Sequence, residues 1–380
     1  MSKSTPGAAT GHLSALDGLR GAMAYWVLMG HAFWHSGMVK IPILSSPKYA
    51  VQGFMLLSGF LMTWHYVRRE AQEPWTDWKT WTSFYIRRYF RISPLYYLLL
   101  IPSYLMLPLY RIWRYPGSHD AGMLTPVSWE HVLTHLSFAF GLSPQFHASM
   151  PIPDWSISLE MQFYLVFPFL MLLVLRFGWT AVSVVCAGIW FVANLPQLGY
   201  AARFEQPAPL CLSLIWFAIG MVWAGEYARK GAIPAKSLIV GFMLLLLTWD
   251  LHGILLGSGI GFVLFTSAQV PVLGVVASKL RILLSGRIAV FMANASYSIY
   301  LIHLLILRPV AFVINSRLPF SENIKGLMIL LVTTVLSYGM AVLLHPIEEL
   351  GISVGRKLAK RLRAPKAMGA LNLAAETATE

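Results

Sequence analysis

The sequence predicts an all-α, polytopic membrane protein with about ten transmembrane helices. Three observations predict it. Of the 380 residues, 57% are hydrophobic and only 12% are charged, about half the ~25% usual in soluble domains. Ten stretches each supply the roughly 20 apolar residues that a bilayer core takes as a helix. The basic residues crowd into alternate gaps between these stretches. Together with a mean hydropathy of +0.62, this excludes a disordered chain, a fibrous protein and an ordinary cytosolic enzyme.

In chain order the stretches are 16–36, 49–67, 93–113, 156–176, 179–197, 208–226, 235–252, 254–275, 290–312 and 325–346. A further stretch, Val127–Leu142, carries Glu130, His131 and His135; it reads as interfacial or re-entrant and stays out of the count. With the N-terminus inside, twenty of the 29 basic residues fall on inside segments and eight on outside segments, while Arg20 lies within the first span. The positive-inside rule then favours an even number of spans with both termini in the cytoplasm. Counting Val127–Leu142 as a span would put the basic C-terminal tail outside. The expected organisation is a cytoplasmic N-terminal segment (1–12), a ten-helix membrane domain (13–346) and a basic cytoplasmic tail (347–380). The tail's Glu348 to Lys366 portion reads as a helix on the inner leaflet. The expected location is a bacterial cytoplasmic membrane.

A net charge of +13 would suggest nucleic acid on a soluble protein. Here it fits topology plus an anionic partner, a lipid headgroup or a phosphorylated cofactor, and no nucleic acid is expected. Met1 to Gly18 lacks the apolar core of a secretory leader. Cys186 and Cys211 both sit in apolar runs, which reads as two buried small hydrophobes, and no metal constellation is present in the sequence.

Ionisable residues inside membrane helices are costly, so they mark candidate sites. Arg20 and His31 are eleven residues apart, which puts them on one helix face about 16 Å apart. An elongated anionic ligand could span them; a snorkelling arginine and a bonded histidine are the plainer reading. Arg87, Arg88 and Arg91 cluster at a cytoplasmic mouth, either as a topology signal or as a phosphate clamp. Arg68 and Arg69 are assigned to topology. Glu160, just inside an apolar helix, needs a partner or a proton; a histidine partner would be oriented by it, whereas the bland alternative is a helix-start carboxylate. His303 is a second intramembrane histidine, and packing against a neighbour is the default for it. Gly351-Ile352-Ser353-Val354-Gly355 fits the nucleophile-elbow pattern without the strand or following histidine that pattern needs.

These residues resemble acyltransferase family 3. Leu16-Asp17-Gly18-Leu19-Arg20-Gly21 with His31 is similar to the family's opening. Phe54-Met55-Leu56-Leu57-Ser58-Gly59-Phe60-Leu61, Arg87-Arg88 with Arg91 and Ile92-Ser93-Pro94, Trp155-Ser156-Ile157-Ser158-Leu159-Glu160 and Tyr297-Ser298-Ile299-Tyr300-Leu301-Ile302-His303 are similar to its later signatures, in the family's order. The resemblance covers about 12–346. It departs at Met161, where the family often has a second acid, and it is to the members without a C-terminal esterase-like domain.

The resemblance implies ten core spans and transfer of an acyl group, most often acetyl, from an acyl-CoA such as acetyl-CoA to a hydroxyl of a sugar or other acceptor. It implies that Arg20 and His31 are the family's arginine–histidine pair, with His31 essential. It also implies that Arg87, Arg88 and Arg91 engage the donor's phosphates, and that Glu160 belongs to the catalytic or acceptor site. The shape of coenzyme A agrees, with phosphates at one end and the thioester at the other. His31 would act as general base or carry the acyl group transiently. The rival reading is a secondary transporter or flippase with an intramembrane His/Glu/Arg relay; no inverted repeat or pair of broken spans supports it.

Overall fold

A computed structural model of the chain describes residues 6–112, 126–230, 233, 235–246, 248, 253 and 271–363. Its helices are α1 (Pro6–Trp34), α2 (Pro47–Val67), α3 (Trp78–Ile112), α4 (Trp129–Leu136), α5 (Trp155–Ala193), α6 (Leu214–Lys230), α7 (Ala235–Leu246), α8 (Pro271–Leu284), α9 (Arg287–Arg317) and α10 (Glu322–Arg363). Among the described residues there is no strand. The eighth expected span, 254–275, lies almost wholly outside the described residues, as do part of the seventh and both chain ends.

Four of these helices are long and apolar enough to cross a membrane: Trp78–Tyr110 within α3, then α5, α9 and α10. The polar residues of α1, Asp17, Arg20 and His31 among them, hold it below that apolarity despite its 29 residues. Large side chains such as Leu105, Leu165, Val335 and Leu343 face outward. A surface this apolar suits lipid rather than water, and the chain is an integral membrane protein.

At 39 residues, α5 would measure about 58 Å if straight, twice a bilayer core. Gly178, at φ 81° and ψ 178°, breaks it where the sequence predicts the boundary between its fourth and fifth spans. Only glycine adopts that backbone readily. The expected interfacial or re-entrant stretch holds α4, eight residues long, and a 3-10 turn at Ala139–Leu142. Helix α4 is about 12 Å long, too short to cross. Helix α10 runs through Pro346 to Arg363 as one helix, across the expected boundary between membrane domain and tail at 346/347.

Packing gathers the functional ends. Helix α1 packs chiefly on α9, α2 on α6, and α3 on α10. Helices α1 and α9 run parallel: Gly21 abuts Ala293, and ten residues on, His31 meets His303. Helices α3 and α10 run antiparallel, with Ser83 bonded to the Ala359 carbonyl and Phe90 against Gly351 and Gly355. A Cβ on Gly351 would stand 2.5 Å from the Phe90 carbonyl oxygen. The elbow-like glycine pair is therefore a small-residue crossing of the kind membrane helices use. It draws α10 onto the arginine turn of α3.

Candidate functional site

A cavity of about 500 Å³ opens between α1, α2, α3, α5, α9 and the later part of α10, with α2 lining it from Val51 to Tyr66; its size is within the 300–1,000 Å³ usual for small-molecule sites. Six arginines line it (Arg20, Arg69, Arg87, Arg88, Arg91 and Arg356) against three carboxylates, Asp17, Glu160 and Glu348. Along α2 the lining passes from Tyr66 and Arg69, beside Arg87, to Val51, Phe54 and Met55, where Phe217, Tyr297 and Tyr300 join a few serines. The cavity is thus graded, cationic at one end and mainly apolar and aromatic at the other. All four arginines singled out in the sequence, together with Glu160, share its wall.

The arginines are not equivalent. Arg87 makes a two-pronged pair with Glu73, Nη2 to Oε2 at 2.8 Å and Nη1 to Oε1 at 3.2 Å, and also donates to the Tyr66 hydroxyl at 2.9 Å. Glu73 pairs with Arg363 as well, at 3.4 Å. Arg87 is thus already paired within the protein. Arg88 has no carboxylate within ion-pair distance among the described residues. Its guanidinium lies 5.7 Å from the Phe84 ring and 5.6 Å from that of Tyr164, and its buried Nε has no partner. Arg20 pairs with Asp17 at 3.4 Å one turn earlier and keeps a buried Nε without a partner. Arg91, Glu160 and Glu348 lie within its electrostatic reach. Guanidinium groups with spare donors suit a polyanion.

Glu160 accepts from the Tyr164 hydroxyl at 2.5 Å; its partner is a tyrosine one turn on rather than a histidine. Ser156, also one turn away, shares its cavity face, as i,i+4 spacing dictates, and bonds the Tyr300 hydroxyl at 2.6 Å. Ser158 points the other way. It donates to the Phe138 carbonyl and accepts the Gly141 N–H, which ties the re-entrant segment to α5.

His31 is not among the described residues that line the cavity. Phe54 and Tyr300, with rings 5.9 Å apart, stand on the wall. Behind Tyr300, at 6.2 Å between rings, lies His303. His31 follows at 5.0 Å, its Nδ1 3.1 Å from His303 Nε2. His303 is fully buried, while His31 keeps part of its surface open. Among the described residues the cavity lining thus stops at Tyr300, short of the His31 imidazole.

The buried histidine–carboxylate contact lies elsewhere. His135 Nε2 is 3.6 Å from Asp154 Oδ2, both inaccessible to solvent. Burial pushes the Asp154 carboxyl well above its usual range and the His135 imidazole down to about 3. With the Tyr96 hydroxyl on the same oxygen at 3.4 Å, the pair fixes α4 beside the start of α5. Among the described residues no cluster could hold a metal ion.

The model of acyltransferase family 3, described as an acyltransferase domain, matches residues 13–345. The chain belongs to this family. A similar protein is nose resistant to fluoxetine protein 6 of Caenorhabditis elegans, 21% identical over a 264-residue alignment that covers 61% of this chain and 31% of the worm protein. The chain thus matches about a third of that relative's length. No solved structure matches it. Among the cavity residues that went unmarked in the sequence are Arg69, assigned to topology; Glu348 and Arg356, assigned to the tail; and Tyr300, read only as part of a signature. An acid beside a basic run, as at Glu348, was the one signal available.

Proposed function

We propose that the protein transfers an acyl group, acetyl in the first instance, from an acyl-CoA to a hydroxyl of a sugar or other glycan acceptor. The observation that carries this reading is the grading of the cavity. Cationic side chains at its mouth match the donor's nucleotide phosphates. The apolar, aromatic depth matches the pantetheine arm and its thioester. In this reading Arg88, Arg91 and Arg20 hold the phosphates, while Arg87, held by Glu73, shapes the mouth.

His31 is the proposed general base, and the Phe54–Tyr300 wall parts to admit the thioester. His31 takes the proton of the acceptor hydroxyl as its oxygen attacks the thioester carbonyl. The C–O bond forms, the C–S bond breaks, and the departing thiolate recovers the proton from the imidazolium. Such a base is typically worth 10²–10⁴-fold, and orientation of donor and acceptor supplies much of the rest. The open side of His31 gives the acceptor an approach separate from the donor cavity.

Two measurements test this. Purified protein should bind acetyl-CoA more tightly than 3′-dephospho-CoA derivatives and release coenzyme A slowly to water. Mass spectrometry of surface glycans from cells with and without the gene should show O-acetyl groups that depend on it. Absence of both would sink the proposal.

A further inference from the structure

The hydrogen-bond pattern around His303 assigns a protonation state to His31. His303 Nδ1 lies 3.0 Å from the Ile299 carbonyl oxygen and 2.8 Å from that of Tyr300. A carbonyl oxygen only accepts, so Nδ1 must carry the hydrogen. In the neutral ring, His303 Nε2 then presents a lone pair. It points at His31 Nδ1, 3.1 Å away. His31 Nδ1 also lies 2.9 Å from the Val27 carbonyl oxygen, again an acceptor. A hydrogen on His31 Nδ1 satisfies both contacts. The reverse arrangement, a cationic His303 donating to a bare His31 Nδ1, would set that nitrogen's lone pair against the Val27 carbonyl. Placing a hydrogen on Nδ1 of each ring is the arrangement that meets all four contacts.

We infer that His303 is a positioning residue for His31: it holds the Nδ1–H tautomer and turns the bare Nε2 toward the open side of the ring. His31 Nε2 has no hydrogen-bond partner among the described residues, and the residue is partly accessible. A base whose hydrogen is tied down at one nitrogen is ready at the other. When Nε2 takes a proton, the new positive charge is shared through Nδ1–H with the His303 lone pair. Tyr300 is bound into the same arrangement: its carbonyl holds His303, and its hydroxyl meets Ser156 at the cavity wall. The identity of the base rests on the reading above; the tautomer rests on geometry alone.

The test uses full-length protein labelled with nitrogen-15 histidine, its two resonance sets assigned with His31→Ala and His303→Ala, alongside hydrolysis of acetyl-CoA. The spectrum should show His31 protonated at Nδ1 and bare at Nε2. His303→Ala should lower kcat about 10- to 100-fold, the range seen when an orienting partner is lost, with KM for acetyl-CoA unchanged. His303→Gln, whose amide oxygen can accept from Nδ1–H, should recover most of that loss. A wild-type His31 protonated at Nε2, an unchanged kcat in His303→Ala, or a Gln variant that binds coenzyme A normally yet gains nothing over Ala would each overturn the inference. If His31→Ala itself stays active, the base assignment fails, while the spectrum still decides the tautomer.

Discussion

Arg87 and Glu73 form a bidentate ion pair at the cavity mouth, with side chains 19% and 12% exposed. The pair divides an arginine cluster that looks uniform in sequence. Arg87 is committed to protein structure, whereas Arg88 and Arg91 have no such pair among the described residues.

Substitution should therefore separate them. Arg88→Ala and Arg91→Ala should each raise KM for acetyl-CoA about tenfold or more, the scale of a charge-assisted hydrogen bond, with little change in melting temperature. Glu73→Ala should do the opposite. It strands Arg87 and Arg363 and should cost about 1–3 kcal/mol of stability, read as a lower melting temperature in detergent. Arg88→Lys should rescue little, because an ammonium lacks the planar fork.

The wall between cavity and imidazole predicts a second separation. Phe54→Trp adds bulk beside Tyr300, and overfilling a packed site typically costs 1–3 kcal/mol. Turnover of acetyl-CoA should fall at least tenfold. Binding of 3′,5′-adenosine bisphosphate, which lacks the pantetheine arm, should stay as in wild type, and calorimetry compares the two directly.

The crossing of α10 on α3 should be intolerant of bulk. Gly351→Val would drive a side chain into the Phe90 carbonyl and Pro94, atoms already 2.5 and 2.8 Å from a bare Cβ. Lower thermal stability and weaker coenzyme A binding are expected together, since the same contact positions the arginine turn. Gly339→Val, at a helical glycine with open space around it, is the control and should leave both unchanged.

His147 gives a pH prediction. Its Nε2 accepts the Glu205 N–H at 3.0 Å and the Gln206 N–H at 3.3 Å, while Nδ1 meets the Pro144 carbonyl. Burial lowers its proton affinity below the usual range. A histidine with a depressed folded-state pKa contributes stability that is complete above its unfolded value of ~6.5 and is lost as pH falls through the folded value. Protonation removes the acceptor that clamps the two loops. Melting temperature should drop as pH falls from ~6.5 toward that lower value, and His147→Gln, whose oxygen accepts without titrating, should flatten the drop.

Much of the site was legible because charge in an apolar run stands out. Arg20, Arg87, Arg88, Arg91 and Glu160 were identifiable one by one, and the break at Gly178 falls between two predicted spans. The rest depends on long-range partners that spacing does not encode. Glu73 sits in a loop beside other charges, so nothing singled it out as the partner of Arg87. Glu348 and Arg356 were hidden by the apparent end of the last apolar run at 346, because local hydropathy does not reveal a helix that continues past the bilayer. The contact between His31 and His303 spans 272 positions and needs the parallel packing of α1 on α9. Glu160 needed a partner or a proton, and spacing alone did not single out the Tyr164 hydroxyl one turn on.

The central claim is acyl transfer from a coenzyme A thioester by way of His31. Its most direct test is release of coenzyme A from acetyl-CoA by purified His31→Ala, set beside acetyl-CoA binding by the same protein. The account predicts wild-type binding with turnover reduced at least a hundredfold. Turnover that survives the substitution, or wild-type protein that does not bind acetyl-CoA at all, would contradict it.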